Sequence, residues 1–129
     1  MYLLDTNICI DFVDGRNAVA RERVRDHFAI GLKVSSITAA ELLVGPKGSD
    51  DPEGDREKVE RFLTVVEVMA FDRAAADCYG DLMKRIGMKR QSFDRLIAAH
   101  ALSLGLVLVT NNLKHFADVP GLVVENWTV

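Results

Sequence analysis

Cysteine and proline are scarce in this 129-residue chain, with two of the first and three of the second. Cys9 and Cys78 both sit in apolar patterns. They cannot build the dense disulfide framework of a small secreted scaffold, and they read as core thiols of a reducing compartment. Long hydrophobic runs are missing too: no stretch approaches the roughly 18 apolar residues that a membrane helix needs. Asp5 arrives before an apolar leader segment can form, so no signal peptide is expected. The expectation is a soluble, cytoplasmic protein. Excess positive charge is also lacking, with 16 Lys and Arg against 19 Asp and Glu, a net charge of −3. That excludes a protein whose main business is coating nucleic acid by charge. It leaves room for a nuclease, because a carboxylate-rich metal site is itself acidic. Internal repeats and low-complexity tracts are absent.

What is present is an apolar fraction of 49% with ordinary charge, 27%. This composition predicts one folded domain over residues 1–129. The stretch Tyr2-Leu3-Leu4-Asp5-Thr6-Asn7 organises it. A short apolar run leads into a carboxylate, a hydroxyl and an amide, which reads as a buried strand ending at Asp5 and turning into a helix. In parallel α/β sheets, ligands sit outside the carboxyl ends of the strands.

Further along, Ile8 to Val13 reads as a short helix stopped at Asp14-Gly15, and Asn17 caps a helix from Ala18 to Ala29. Lys33 to Ser35 is a strand. A helix through Ala39 to Val44 follows, ended by Gly45-Pro46. Pro46 to Asp55, with two prolines and several acids, reads as a loop. A helix over 55–64 precedes a strand over Val65 to Met69. Asp72 caps a long helix to Ile86, and Ser92 caps another to Leu104. Leu106 to Val109 is the strongest strand, rich in β-branched residues. A helical turn near Leu113 to Phe116 and a last strand, Leu122 to Val124, complete the pattern. Strands alternating with helices predict a three-layer α/β/α fold around a parallel sheet.

Four polar side chains fall at the edges of these apolar elements: Asp5, Glu41, Asp94 and Asn112. Each has a local alternative. Asp5 can cap the helix it introduces. Thr38-x-x-Glu41 matches a capping box, but a helix starting at Thr38 has under two turns before Gly45-Pro46. A cap at Ser35 or Ser36 instead puts Glu41 in the helix interior, where a carboxylate needs a partner. Asp94 favours a helix N-terminus by dipole alone. Asn112 can be a turn residue. Taken jointly, oxygen ligands without His or Cys suit a hard cation, Mg²⁺ or Mn²⁺. Carboxylates holding such an ion can activate water for in-line attack on a phosphodiester.

Leu-Leu-Asp-Thr-Asn-Ile at the start, Ser-Ser-Ile-Thr-Ala-Ala-Glu-Leu, Ser-Phe-Asp-Arg-Leu-Ile-Ala-Ala-His-Ala and Leu-Val-Thr-Asn-Asn together resemble the PIN-domain ribonucleases. The resemblance is to the VapC-type toxins of bacterial toxin–antitoxin pairs, and it covers essentially the whole chain. It implies a PIN-like α/β/α fold and a metal-dependent endoribonuclease acting on structured RNA such as tRNA. It also implies a homodimer and a VapB-type antitoxin that fills the acidic groove. By motif, Asp5 and Asp94 resemble the direct metal ligands, and Glu41 the acid that completes the pocket. Thr110 matches a small hydroxyl residue that bonds a ligand carboxylate, and Thr6 follows the first ligand as a supporting hydroxyl. Asn112 stands where many members carry a fourth acid, which lowers the local negative charge by one.

Lys84, Arg85, Lys89 and Arg90 precede Asp94 and are candidates to hold RNA phosphates. A solvated helix end is the alternative. Arg21, Arg23 and Arg25 read as a solvated face, His100 as a core histidine or one that supports a ligand residue from behind, and Trp127 as a packing residue. Two rival functions are a catalytically inactive PIN module that binds RNA or protein, and a phosphoacceptor signalling domain. The second needs paired acids after the first strand and a Lys after a late one. Asp5-Thr6-Asn7 and Asn111-Asn112 supply neither.

Overall fold

A computed structural model describes residues 1–87 and 92–129. Five parallel strands form one sheet in the order β3-β2-β1-β4-β5. They are β1 (Tyr2–Leu4), β2 (Leu32–Ser35), β3 (Glu67–Met69), β4 (Val107–Val109) and β5 (Val124–Glu125). In register, Leu3 of β1 lies beside Lys33 of β2 on one side and Leu108 of β4 on the other.

Side chains alternate across a strand, and the two central leucines show the consequence. Leu4 and Val109 belong to one buried cluster with Ile8, Val24, Leu42, Phe62 and Trp127. Leu3 and Leu108 belong to another with Leu82, Ile97, Ala98 and Phe116. The first cluster is closed by α1 (Thr6–Asp14), α2 (Ala18–His27), α3 (Ser36–Val44) and α4 (Pro52–Val65). The second is closed by α5 (Arg73–Ile86) and α6 (Phe93–Leu104). Each fully buried leucine contributes roughly 1.5–3 kcal/mol of transfer free energy, so the short β1 anchors both layers.

Local chemistry sets the helix ends. Asp5, Asn17, Ser35, Asp51, Asp72 and Ser92 each cap a helix through a side-chain oxygen. Gly15 ends α1 at φ 67°, a left-handed conformation that costs glycine little.

Several boundaries depart from the sequence reading. The loop after Gly45 ends at Asp51, because Asp51 caps α4 and Pro52 occupies its first turn, where a missing N–H costs nothing. Val65 is still helical and Val66 is the junction, so β3 begins only at Glu67. α2 ends at His27 and tightens into a 3₁₀ turn, Phe28–Ile30, before Gly31. The last strand starts two residues later than predicted and ends one later, at Glu125, since Leu108 and Val109 set its register. The capping-box alternative for Glu41 is overturned: Ser35 is the cap, and Glu41 lies inside α3. Cys9 and Cys78 are free thiols, and Trp127 is buried. Among the described residues, no helix is long and apolar enough to cross a membrane.

Candidate active site at the sheet switch point

From β1 the chain moves outward to β2 and β3, then returns to β4 on the other side of β1. The carboxyl ends of β1 and β4 therefore flank the switch point, where open α/β sheets bind ligands. Asp5 follows β1 there. Its backbone N–H donates to the Val109 carbonyl at 2.9 Å. Thr110 follows β4 and is wholly buried.

Asp5 is only 2% exposed. Its Oδ1 accepts from the Ile8 N–H at 2.9 Å, so it caps α1 at the carboxyl end of β1. Burial pushes its carboxyl up to about 6, and the nearby Asp94 and Asp11 push the same way. Hydrogen bonds from the Thr110 hydroxyl and the Ile8 amide oppose the rise without cancelling it. Thr110 is thus a neighbour of the Asp5 carboxylate.

Glu41 is half-buried in α3 and has the partner its position demands. Thr6 Oγ1 donates to its Oε1 at 2.7 Å. Thr6 Oγ1 also lies 3.1 Å from Thr38 Oγ1. A hydroxyl has one proton, and that of Thr6 goes to Glu41, so Thr38 is the donor in this pair. The order Thr38 to Thr6 to Glu41 is a directed chain in which each bond strengthens the next.

Asp94 lies in the first turn of α6, where the helix dipole favours a negative charge. Its Oδ2 is 3.1 Å from Nδ1 of the exposed His115. The next residue, Arg95, is buried and makes a bidentate pair with Asp118 at 2.6 and 3.2 Å. After β4, Asn112 contributes its backbone N–H to Thr110 Oγ1 at 3.0 Å, and its side chain does not cap the turn that follows. Asn111 reaches inward instead, donating to Asp11 Oδ2 at 3.0 Å.

Asp5, Thr6, Glu41 and Thr110 are therefore directly linked or adjacent, and Asp94 acts on Asp5 through its charge. Asp11, Thr38, Asn111 and His115 were missed. Asp11 lies six residues after Asp5, and that spacing was its only signal. Lys84 and Arg85 are exposed in the last turn of α5. Arg85 lines a shallow cleft with Cys78 and Pro120 that includes none of the three acids. Lys89 and Arg90 lie outside the described residues.

Among the described residues, no three His, Cys, Asp or Glu side chains close together as a metal-holding group. A magnesium-like ion does not need one, because it commonly uses one or two carboxylates and keeps several waters. Asp5 fits that role. It is a buried carboxylate with acids around it, and among the described residues its hydrogen-bond donors, Thr110 and Ile8, are neutral. A cation would supply the missing charge.

The family described as the PIN domain matches residues 2–122. The chain belongs to the PIN-domain family. This PIN domain is 38% identical over 130 residues to a protein of Shigella flexneri named tRNA(fMet)-specific endonuclease VapC, covering 98% of each chain. In fold it matches DNA-bound VapBC from Salmonella typhimurium with a TM-score of 0.88 and 37% identity, over 98% of this chain and 97% of that one. VapBC2 from Rickettsia felis, bound to a promoter DNA fragment, gives a TM-score of 0.87 at 32% identity, with 98% of each chain covered. Identity at this level over nearly the whole length puts the PIN domain among the VapC ribonucleases.

Proposed function

We propose that this PIN domain is a divalent-metal-dependent endoribonuclease and the toxin of a VapBC-type pair. The observation that carries the reading is the buried, charge-deficient Asp5 at the switch point, joined to Glu41 through Thr6. Asp5 and Asp94 would hold Mg²⁺ or Mn²⁺. When bound, such an ion lowers the pKa of a bound water and neutralises charge on the phosphoryl oxygens.

The chain's own residues do the rest. Glu41 has one oxygen engaged by Thr6, which fixes the carboxylate and leaves the second oxygen to accept a proton from the attacking water. Thr110 and the first turn of α1 hold Asp5 in one orientation. Asn111 fixes Asp11 at the rim, where its charge adds to the field that draws a cation in. Lys84 and Arg85, exposed just ahead of Asp94 in sequence, are proposed phosphate contacts. A structured RNA, tRNA in particular, is the proposed substrate, since the Shigella relative is named for it. A VapB-type antitoxin is the proposed partner, since related chains were solved as VapBC. The protein is further proposed to be cytoplasmic and homodimeric, with residues 1–129 forming one domain.

The test is incubation of the purified, antitoxin-free protein with total RNA, in Mg²⁺, in Mn²⁺ and with chelator, followed by mapping of the new ends. Discrete cuts in a tRNA that vanish with chelator support the reading. No cutting with either ion by folded protein favours a binding module.

A further inference from the structure

His100 is wholly buried midway along α6. Its Nδ1 lies 2.8 Å from Ser35 Oγ. That hydroxyl already accepts from the Ile37 N–H at 3.1 Å, which is the cap of α3. Its own proton is available to Nδ1, an arrangement that pairs with the ring tautomer protonated on Nε2. Among the described residues, His100 Nε2 is the buried side-chain polar atom left without a hydrogen-bond partner. Burial lowers the ring's pKa, although Asp72 and the Ala70 carbonyl pull the other way.

The neighbouring serine is tied down as well. Ser36 Oγ accepts from the Phe71 N–H at 3.0 Å, and the Phe71 ring meets His100 edge-on at 5.3 Å. Two consecutive serines thus fasten the start of α3 to α6 and to the turn between β3 and α5. Three and six residues beyond Ser35 stand Thr38 and Glu41, the two ends of the hydroxyl chain. A leucine at position 100 would fill similar space and remove the unpartnered Nε2, at the cost of the acceptor for the buried Ser35 hydroxyl.

We propose that His100 is a positioning residue for the cleavage reaction: through Ser35 it fixes the N-terminus of α3, and so sets the Thr38–Thr6–Glu41 chain beside Asp5. The proposal rests on the nuclease reading. Its test compares wild type with His100→Leu, His100→Asn and Ser35→Ala in initial rates against RNA concentration, together with Tm. Small displacements of catalytic groups are costly, so Leu and Ala are expected to lower kcat about tenfold or more with KM little changed. The Tm of His100→Leu should change little, because loss of the Ser35 bond is offset by removal of the unpartnered Nε2, and Asn, whose side-chain oxygen can accept from Ser35, should regain part of kcat. A wild-type kcat in His100→Leu overturns the proposal, as does a loss that merely follows Tm and is not recovered by Asn. If wild type itself cuts no RNA, the nuclease reading fails, and hydrogen exchange at the Ile37 amide decides the anchoring. Faster exchange in His100→Leu supports it, and unchanged exchange overturns it.

Discussion

Thr6 and Glu41, 35 residues apart, are joined by a hydrogen bond of 2.7 Å between hydroxyl and carboxylate. The bond ties the first turn of α1 to the middle of α3 across the mouth of the crevice. Thr6→Val keeps the shape and deletes the donor. Glu41 and Thr38 then both lose a partner, a cost of about 1–3 kcal/mol. Cleavage is expected to fall by about tenfold or more as Glu41 loses its fixed orientation. Chemical denaturation and initial cleavage rates check the two effects separately.

Asp94 gives the opposite balance. Its pair with His115 is partly solvent-exposed, and such pairs contribute about 0–1 kcal/mol. Asp94→Asn should therefore melt close to wild type while losing about a hundredfold or more of its cleavage rate. A large fall in Tm with little loss of rate would make Asp94 structural.

Arg95 stands beside Asp94 but does a different job. Its guanidinium is buried against Asp118 in a bidentate pair. Replacing Arg95 removes two charge-assisted hydrogen bonds to Asp118 from a mostly buried setting. Asp118 is 34% exposed in its side chain, which tempers the cost. Arg95→Met should lower unfolding free energy by about 2 kcal/mol, read from urea denaturation, whereas Lys33→Met, in an exposed pair with Glu67, should change it by under about 1 kcal/mol.

Much of this site was legible in the sequence because its acids break apolar patterns. Asp5 ends a run that continues beyond it, and Glu41 interrupts a helix of Ala and Leu. Their roles as neighbours follow from parallel strands sharing one rim. What could not be read was pairing at long range. Nothing local distinguishes Asn111 from Asn112, yet only the first has its side chain tied to Asp11. The pairing of His115 with Asp94 depends on the position of a 3₁₀ turn 21 residues away. The start of α4 did have a local signal, Asp51 followed by Pro52, which was outweighed by the surrounding glycines and acids.

Asp5 also sets a pH dependence. Its carboxyl is raised from 3.8 to about 6 in the folded protein. Between those values the native state keeps a proton that the unfolded chain has released. Linkage then makes this group's contribution to stability fall as pH rises through that window and stay constant above it. The full effect is on the order of 3 kcal/mol. A divalent ion bound at Asp5 should offset it, so Mg²⁺ is expected to raise Tm above pH 6 and to do little near pH 4. Melting curves across that range, with and without Mg²⁺, check this. An Mg²⁺ effect that is the same at both ends would count against binding at Asp5.

The most direct measurement is on Asp5→Asn, with one preparation read twice, by thermal melting without metal and by cleavage of total RNA in Mg²⁺. An amide can still cap α1 and accept from Thr110, but it carries no buried charge. The expected result is a protein that melts above wild type at neutral pH and cuts no RNA. Cleavage at the wild-type rate would contradict the account, because the site would then work without the carboxylate on which it is built.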